Sequence, residues 1–400
     1  MPDDLTSAAS LPAARDRVLE LAGSKIRQVA DAAMGREGVL PFWFGESDLP
    51  TPQPIREAGA RALVEGRTFY TQNLGRPELR EAIAAYLARL HGQVFEASRV
   101  AVTSSAVTGL MLVMQAILDP GDRVVCVTPV WPNLFEIPKV LGAQVTTVPL
   151  RVRNGVWRLD LDRLLDALTP DTRLLLVNTP NNPSGWVIRP EEQAAILEHC
   201  RRRGIWVIAD EVYERLAFDL PGGRAPSFLT RAEPGERLVG VNSFSKAWSM
   251  TGWRLGWLVA PAELMADLAK LIEYNTSCPP DFVQSAGVTA LELGEPMVEE
   301  ARLRLVSNRD RLLDALMGME GVQAPRPEGA MYQFFRIEGV DDTVALARTL
   351  VTEAGLGLAP GAAFGDDFQD GWLRWCLATG PERLEQGIER LTGFLRSHRG

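Results

Sequence analysis

The stretch Val241-Asn242-Ser243-Phe244-Ser245-Lys246-Ala247-Trp248-Ser249-Met250-Thr251-Gly252-Trp253-Arg254 decides how the rest of the chain is read. An apolar, strand-like run over 238–241 breaks off into serines, a lysine, a threonine and a glycine, with an arginine eight residues beyond the lysine. Lysine is scarce: Lys25, Lys139, Lys246 and Lys270 are the four in the sequence, against a large excess of arginine. Lys25 and Lys270 lie in amphipathic, helix-like surroundings, and Lys139 follows a proline. Lys246 alone is set among small hydroxyl side chains. Arginine stays protonated, whereas lysine can lose its proton and condense with a carbonyl. Hydroxyls and an arginine beside such a lysine suit a phosphate dianion. The combination points to a phosphate-bearing aldehyde, pyridoxal 5'-phosphate. The plain alternative is a surface lysine in a polar loop.

Working outward, short β-rich runs alternate with helical ones. Strands are expected at 100–103, 123–127, 144–148, 174–177, 205–209, 238–241 and 255–259, and helices at 12–34, 54–65, 77–90, 161–168 and 191–203, with one more running to 118. This alternation describes an α/β fold with a mostly parallel sheet, in which ligands sit beyond the carboxyl ends of the strands. Ser104, Trp131, Asn178, Asp210 and Ser243 all follow strands. After residue 283 the pattern changes to a long helical stretch (285–319), short strands (331–337 and 372–377) and a closing helix from Pro381. We expect a large cofactor-binding domain over 48–284, a smaller α+β domain over 285–400, and an N-terminal arm, 1–47, belonging to the small domain.

Composition narrows the function. A net charge of -9 with no long basic run argues against nucleic-acid binding. No apolar run is long enough to span a bilayer, and the opening Met1-Pro2-Asp3-Asp4 is not a secretory signal. Cys126, Cys200, Cys278 and Cys376 are scattered, as in a cytoplasmic protein with reduced thiols. His91, His199 and His398 are the three histidines, so metal centres and Ser-His-Asp triads lack their usual parts. No GxGxxG follows a strand, which argues against a nicotinamide enzyme.

Several residues carry a chemical reading beside a structural one. Asp210 ends an apolar strand, where a carboxylate costs several kcal/mol unless a cation pairs with it. It either caps the next helix or holds a protonated pyridine nitrogen. Tyr213, three residues on, is either a hydrogen-bond donor to the cofactor or amphipathic core. Asn178-Thr179-Pro180-Asn181-Asn182-Pro183-Ser184-Gly185 is a fixed loop by its turn formers. Ser104-Ser105-Ala106 is a helix cap that also offers N–H groups to an anion. Trp131 offers a stacking face, or simply packs. Arg374, inside an apolar strand, needs a carboxylate from the protein or from a substrate.

In order and spacing, Gly45-Glu46-Ser47-Asp48, Tyr70-Thr71, the 178–185 loop, Asp210-Glu211-Val212-Tyr213, Ser243 to Lys246, Gly252 to Gly256, and Arg374 resemble the class I/II aminotransferases of the fold-type I pyridoxal phosphate enzymes. The resemblance covers nearly the whole chain. It implies that Lys246 bonds to the cofactor aldehyde and, once displaced, moves the substrate proton. It implies that Asp210 holds the pyridine nitrogen, that Asn182 and Tyr213 contact the ring oxygen, and that Trp131 stacks on the ring. Ser105, Ala106, Ser243 and Arg254 would hold the phosphate, with Tyr70 reaching in from a second subunit of a homodimer. Arg374 would bind the substrate α-carboxylate, with Asn182 and the backbone of Gly45 close by.

The chain departs from the family at Ser105, Val107 and Glu273. Ser105 stands where many relatives have glycine in the phosphate turn, a replacement that is tolerable if φ there is negative. Val107 stands where aspartate aminotransferases of similar architecture carry a lysine for the distal carboxylate, and Glu273 falls near another branch's arginine for that group. The expected function is therefore transfer of an amino group from an L-amino acid to a 2-oxo acid, without selection of acidic substrates by the usual cation. A β-eliminating C–S lyase on the same fold is the alternative. A regulator joining this domain to a DNA-binding module is disfavoured, because about forty residues precede Phe42.

Overall fold

The computed structural model describes residues 13–398. Seven strands build the central sheet: β1 (Val100–Thr103), β2 (Arg123–Thr128), β3 (Gln144–Pro149), β4 (Thr172–Asn178), β5 (Trp206–Asp210), β6 (Leu238–Ser243) and β7 (Gly256–Val259). Across the sheet they run β1-β7-β6-β5-β4-β2-β3. β7 is antiparallel to both its neighbours, and the other pairings are parallel. Near-continuous aliphatic strands of this kind are those buried on both faces. With a side-chain period of two, Leu175, Val177, Val207 and Ala209 feed one core, while Leu174, Leu176, Ile208 and Val241 feed another. Register sets Asn178 beside Asp210, and Asp210 beside Val241, so the polar ends of β4, β5 and β6 form one edge.

A second, antiparallel sheet follows: β8 (Val322–Gln323), β9 (Tyr332–Ile337), β10 (Ala359–Pro360) and β11 (Trp372–Cys376), in the order β8-β9-β11-β10. The N-terminal segment joins this part of the molecule. Leu40–Pro41 pairs in parallel with Leu356–Gly357, and helix Lys25–Asp31 packs on β10.

Two helical expectations are corrected. The single helix over 12–34 begins outside the described residues, and within them it is two pieces, Asp16–Leu19 and Lys25–Asp31. Ser24 starts the second piece afresh, its side chain accepting a hydrogen bond from Arg27 N at 3.3 Å; such a cap competes with continuing the helix through the residue. The helical stretch over 285–319 is likewise two helices, Asp281–Leu293 and Glu295–Met317, meeting at Gly294. A Cβ there would press on the Ala290 carbonyl and on Trp248 Nε1, 2.5 Å away. Helix Asp281–Leu293 packs on Gln53–Val64 and Pro77–His91, whereas Glu295–Met317 packs on β8, β9 and Pro381–Ser397.

Candidate active site

A cavity of about 530 Å³ opens at the carboxyl edge of β4, β5 and β6, against the start of helix Ala106–Ile117. Asn182, Asp210, Tyr213, Ser243, Lys246 and Arg254 line it. Two charged groups in it, Lys246 and Asp210, are both driven toward neutrality.

Lys246 stands three residues past β6, in a turn whose start is fixed by Ser245 N donating to Ser243 Oγ at 3.0 Å. Its Nζ donates to the Gly45 carbonyl at 2.6 Å and lies 5.6 Å from the Tyr213 ring centroid. Burial pulls its ammonium down to about 8, against an opposing pull from Cys376. A lysine this close to neutrality supplies the uncharged amine that attacks a carbonyl. Gly45 can come this near because it has no side chain; a Cβ would collide with the hydroxyl of Tyr332.

Asp210 ends β5 and is 5% exposed. Its carboxylate receives the Val212 N–H at 3.3 Å, and no other hydrogen bond reaches it among the described residues. Burial pushes it up to about 7, opposed by that N–H and by the Lys246 ammonium. An under-bonded buried carboxylate facing a cavity is a site for a cation. The loop beside it is rigid: Asn178 Nδ2 donates to the Asp210 carbonyl at 3.1 Å, and Asn178 Oδ1 accepts from Asn182 N at 2.8 Å.

Tyr213 and Tyr332 form a buried hydroxyl pair, 2.8 Å apart. Burial raises both, Tyr332 to about 12, so both stay protonated at neutral pH. One hydroxyl proton is used between them, which leaves the other for a ligand.

Arg374, on β11, is fully buried. Its guanidinium donates to Asn182 Oδ1 at 2.9 Å and to the Trp43 carbonyl, and its Nε has no partner. The rings of Tyr332, Phe364 and Trp131 surround it at 4.4, 4.9 and 5.9 Å. Among the described residues no carboxylate pairs with it. A buried arginine with no ion-pair partner, behind Asn182 and Trp131, which line the cavity, is ready to donate to a carboxylate.

The opposite end of the cavity suits a phosphate. Ser105 caps helix Ala106–Ile117, its side chain accepting from Thr108 N at 3.1 Å, while the N–H groups of Ala106 and Val107 bond to no described residue. Such a helix start attracts anions. Ser243 and Arg254 face it from β6 and from the turn before β7. The condition for an unstrained serine in place of glycine, a negative φ, is not met at Ser105: φ is 105°. The turn needs the conformation that glycine adopts freely, and Ser105 occupies it while serving as the cap.

Ala106, Trp131, Asn182, Asp210, Tyr213, Ser243, Lys246, Arg254 and Gly45 thus meet at one cavity. Ser105 and Arg374 are buried behind its wall. Tyr70 is not brought there; it is 88% exposed, in the loop before helix Pro77–His91. Tyr332, Arg27, Phe44 and Glu46 also stand at the site, though sequence reasoning gave them no role there. Glu46 belongs to the Gly45-Glu46-Ser47-Asp48 motif and Tyr332 to an ordinary-looking strand, and neither carries a chemical signal of its own in the sequence. Among the described residues no group of three or more His, Cys, Asp or Glu side chains is placed to hold a metal, and no helix is long and apolar enough to cross a membrane.

Comparison with known proteins agrees with this geometry. The chain is 34% identical over 387 residues to an aspartate aminotransferase of Pyrococcus horikoshii, covering 96% of this chain and 97% of that one. It is also 34% identical to an arginine–pyruvate transaminase of Pseudomonas aeruginosa, covering 91% and 92%. The crystal structure of the Thermotoga maritima aspartate aminotransferase superposes with a TM-score of 0.88 at 32% identity, covering 96% of this chain and all of that one. These relatives are transaminases, and none points to the β-eliminating lyase. Residues 38–391 match the family described as aminotransferase class I and II, and with the lysine, carboxylate and arginine arranged as above, the chain belongs to that family.

Proposed function

We propose that the protein is a pyridoxal phosphate-dependent aminotransferase acting on L-amino acids and 2-oxo acids, and that its donor is not chosen by a cation at the usual position. The observation that carries this is the pairing of Lys246 and Asp210 in one cavity, each pushed toward neutrality by burial. The residues fit the cofactor. Asp210, with one weak hydrogen bond, would hold the pyridinium; the free N–H groups at Ala106, with Ser105, Ser243 and Arg254, would hold the phosphate. Trp131 would cover the ring face, and Asn182 and the free hydroxyl proton of the tyrosine pair would meet the ring oxygen. When bound, the cofactor supplies the electron sink that makes the substrate α-proton acidic.

The chain's own groups do the rest. Arg374 takes the α-carboxylate in place of its Asn182 contact, which fixes the α-carbon near Lys246. Lys246 Nζ, released from the Gly45 carbonyl, is the base that would take the α-proton and give it back to the carbon of the cofactor's aldehyde group, on the far side of the amino nitrogen. At the substrate side-chain end, Val107 and Leu110 offer apolar surface, which suits neutral or aromatic donors. We further propose a homodimer, with Tyr70 completing the partner's phosphate site, and a cytoplasmic location in keeping with the free cysteines.

The test mixes each of the twenty amino acids with the purified enzyme loaded with pyridoxal phosphate and follows loss of the visible band expected of it in a single half-reaction. Neutral or aromatic amino acids should bleach it most readily, and Lys246→Ala should abolish both the native band and turnover. Aspartate as the best donor by a wide margin would overturn the specificity, and full transamination by Lys246→Ala would overturn the assignment.

A further inference from the structure

The cavity has a charged residue at its mouth that the mechanism does not use. Ser24 caps helix Lys25–Asp31, whose Ile26 and Val29 are buried in the core. This places Arg27 on the other face, where it lines the same cavity as Lys246. The Arg27 guanidinium has no hydrogen-bond or ion-pair partner among the described residues. The group it faces is the ring of Phe44, with the centroid 5.9 Å from Cζ.

The other charges in the cavity are engaged. Arg254 donates to the Thr251 carbonyl at 2.6 Å, Glu46 meets the Thr251 hydroxyl at 3.5 Å on that same side, and Lys246 and Asp210 lie at the chemistry. Arg27 is thus the cavity's uncommitted cation among the described residues. Its planar fork matches a carboxylate with two parallel hydrogen bonds, and it repels a cationic side chain.

We infer that Arg27 is a specificity-determining residue: it receives the distal carboxylate of a dicarboxylic 2-oxo acid acceptor, the task for which Val107 has no charge. The inference rests on the transamination reading above. Phe44 beside it, with Val107 and Leu110 elsewhere in the cavity wall, offers apolar surface for neutral or aromatic side chains in the other half-reaction. One cavity then accommodates two substrate classes, with Arg27 the group that separates them.

The test has two arms. In the first, kcat/KM is measured for 2-oxoglutarate and for 2-oxohexanoate, which lacks the distal carboxylate, with wild type, Arg27→Gln and Arg27→Lys. The ratio of dicarboxylate to monocarboxylate should fall at least tenfold in Arg27→Gln and recover in part in Arg27→Lys. A ratio that stays within twofold in Arg27→Gln overturns the inference. In the second arm, glutarate and butanoate bind to the wild-type holoenzyme and are followed through the visible band, which requires neither a variant nor turnover. Glutarate should bind at least tenfold more tightly, with a preference that weakens as salt is raised; equal affinities overturn the inference. A holoenzyme that separates glutarate from butanoate yet transaminates no oxo acid would instead count against the aminotransferase reading and leave Arg27 its role.

Discussion

Ser105 shows two local preferences in conflict. At φ 105° and ψ 156° it occupies backbone space that costs a side-chain-bearing residue about 1–3 kcal/mol. As a helix cap, serine exceeds glycine by only a few tenths of a kcal/mol. The strain is the larger effect, so Ser105→Gly should raise the unfolding free energy by about 1 kcal/mol, measured by urea denaturation of the cofactor-free protein. A fall would show that the hydroxyl does more than cap. Asp210 makes a second prediction at this scale. Its folded-state carboxyl is raised by burial to about 7 from an ordinary 3.8, so between those values the folded protein holds a proton that the unfolded chain has released. Stability of the cofactor-free protein should therefore fall as pH rises from about 4 to 7. Lys246, depressed from 10.5 to about 8, acts in the opposite sense, and stability recovers as pH climbs above 8 toward 10. Asp210→Asn should lessen the first decline, to which the buried Glu211 carboxyl, also raised, contributes in the same sense, and should leave the recovery, which a melting-temperature series against pH would show.

At the scale of elements, the junction of β7 with the helix opening at Ala106 leaves no room for a side chain. A Cβ on Gly256 would lie 2.5 Å from Ala106 N, 2.9 Å from the Asn242 carbonyl and 2.9 Å from Ser105 C, all of them backbone atoms that cannot rotate away. Gly256→Ala should therefore push the helix start out of line. It should cost about 1–3 kcal/mol of stability, the usual range for an overpacked site, and should weaken cofactor retention on dialysis by a larger factor than Gly252→Ala, a position where a Cβ meets open space. Elements of the sheet were legible in the sequence because β4, β5 and β6 are aliphatic runs that end abruptly in Asn178, Asp210 and Ser243. Where helices break was less so. At Ser24 the break depends on a side chain choosing Arg27 N over the helix, and at Gly294 on Trp248, distant in sequence, filling the space where a Cβ would lie. The site divides the same way. Lys246, Asp210 and Arg374 announce themselves as charges in apolar or hydroxyl-rich settings, whereas Tyr332 and Arg27 look like ordinary strand and helix residues until the second sheet and the N-terminal segment close over the cavity.

At the scale of the whole molecule, one side of the chain carries large side chains with too little to cover them. Phe69 and Tyr70 are 80% and 88% exposed, Tyr274 is 89% exposed, and Glu273 bridges to Asn73 at 2.5 Å, linking the two segments that carry these aromatics. Contiguous exposed aromatics mark a surface that another protein covers, and a twofold homodimer would cover it with its own counterpart. If Tyr70 then serves the partner's phosphate site, activity can be restored between two crippled chains. Lys246→Ala lacks the reactive amine, and Tyr70→Ala lacks the group it lends. In a heterodimer of the two, the site on the Tyr70→Ala chain has its own Lys246 and borrows an intact tyrosine, while the other site has neither. Random pairing of equal amounts makes about half the dimers mixed, each with one sound site, so co-expression should recover roughly a quarter of wild-type activity above the Tyr70→Ala background, as expected for a shared, symmetric interface. Sedimentation of the wild type should give twice the 43.9 kDa chain mass. A dimer of that mass in which co-expressed variants show no gain would place Tyr70 with its own subunit, and the exposed aromatic surface would then serve assembly alone.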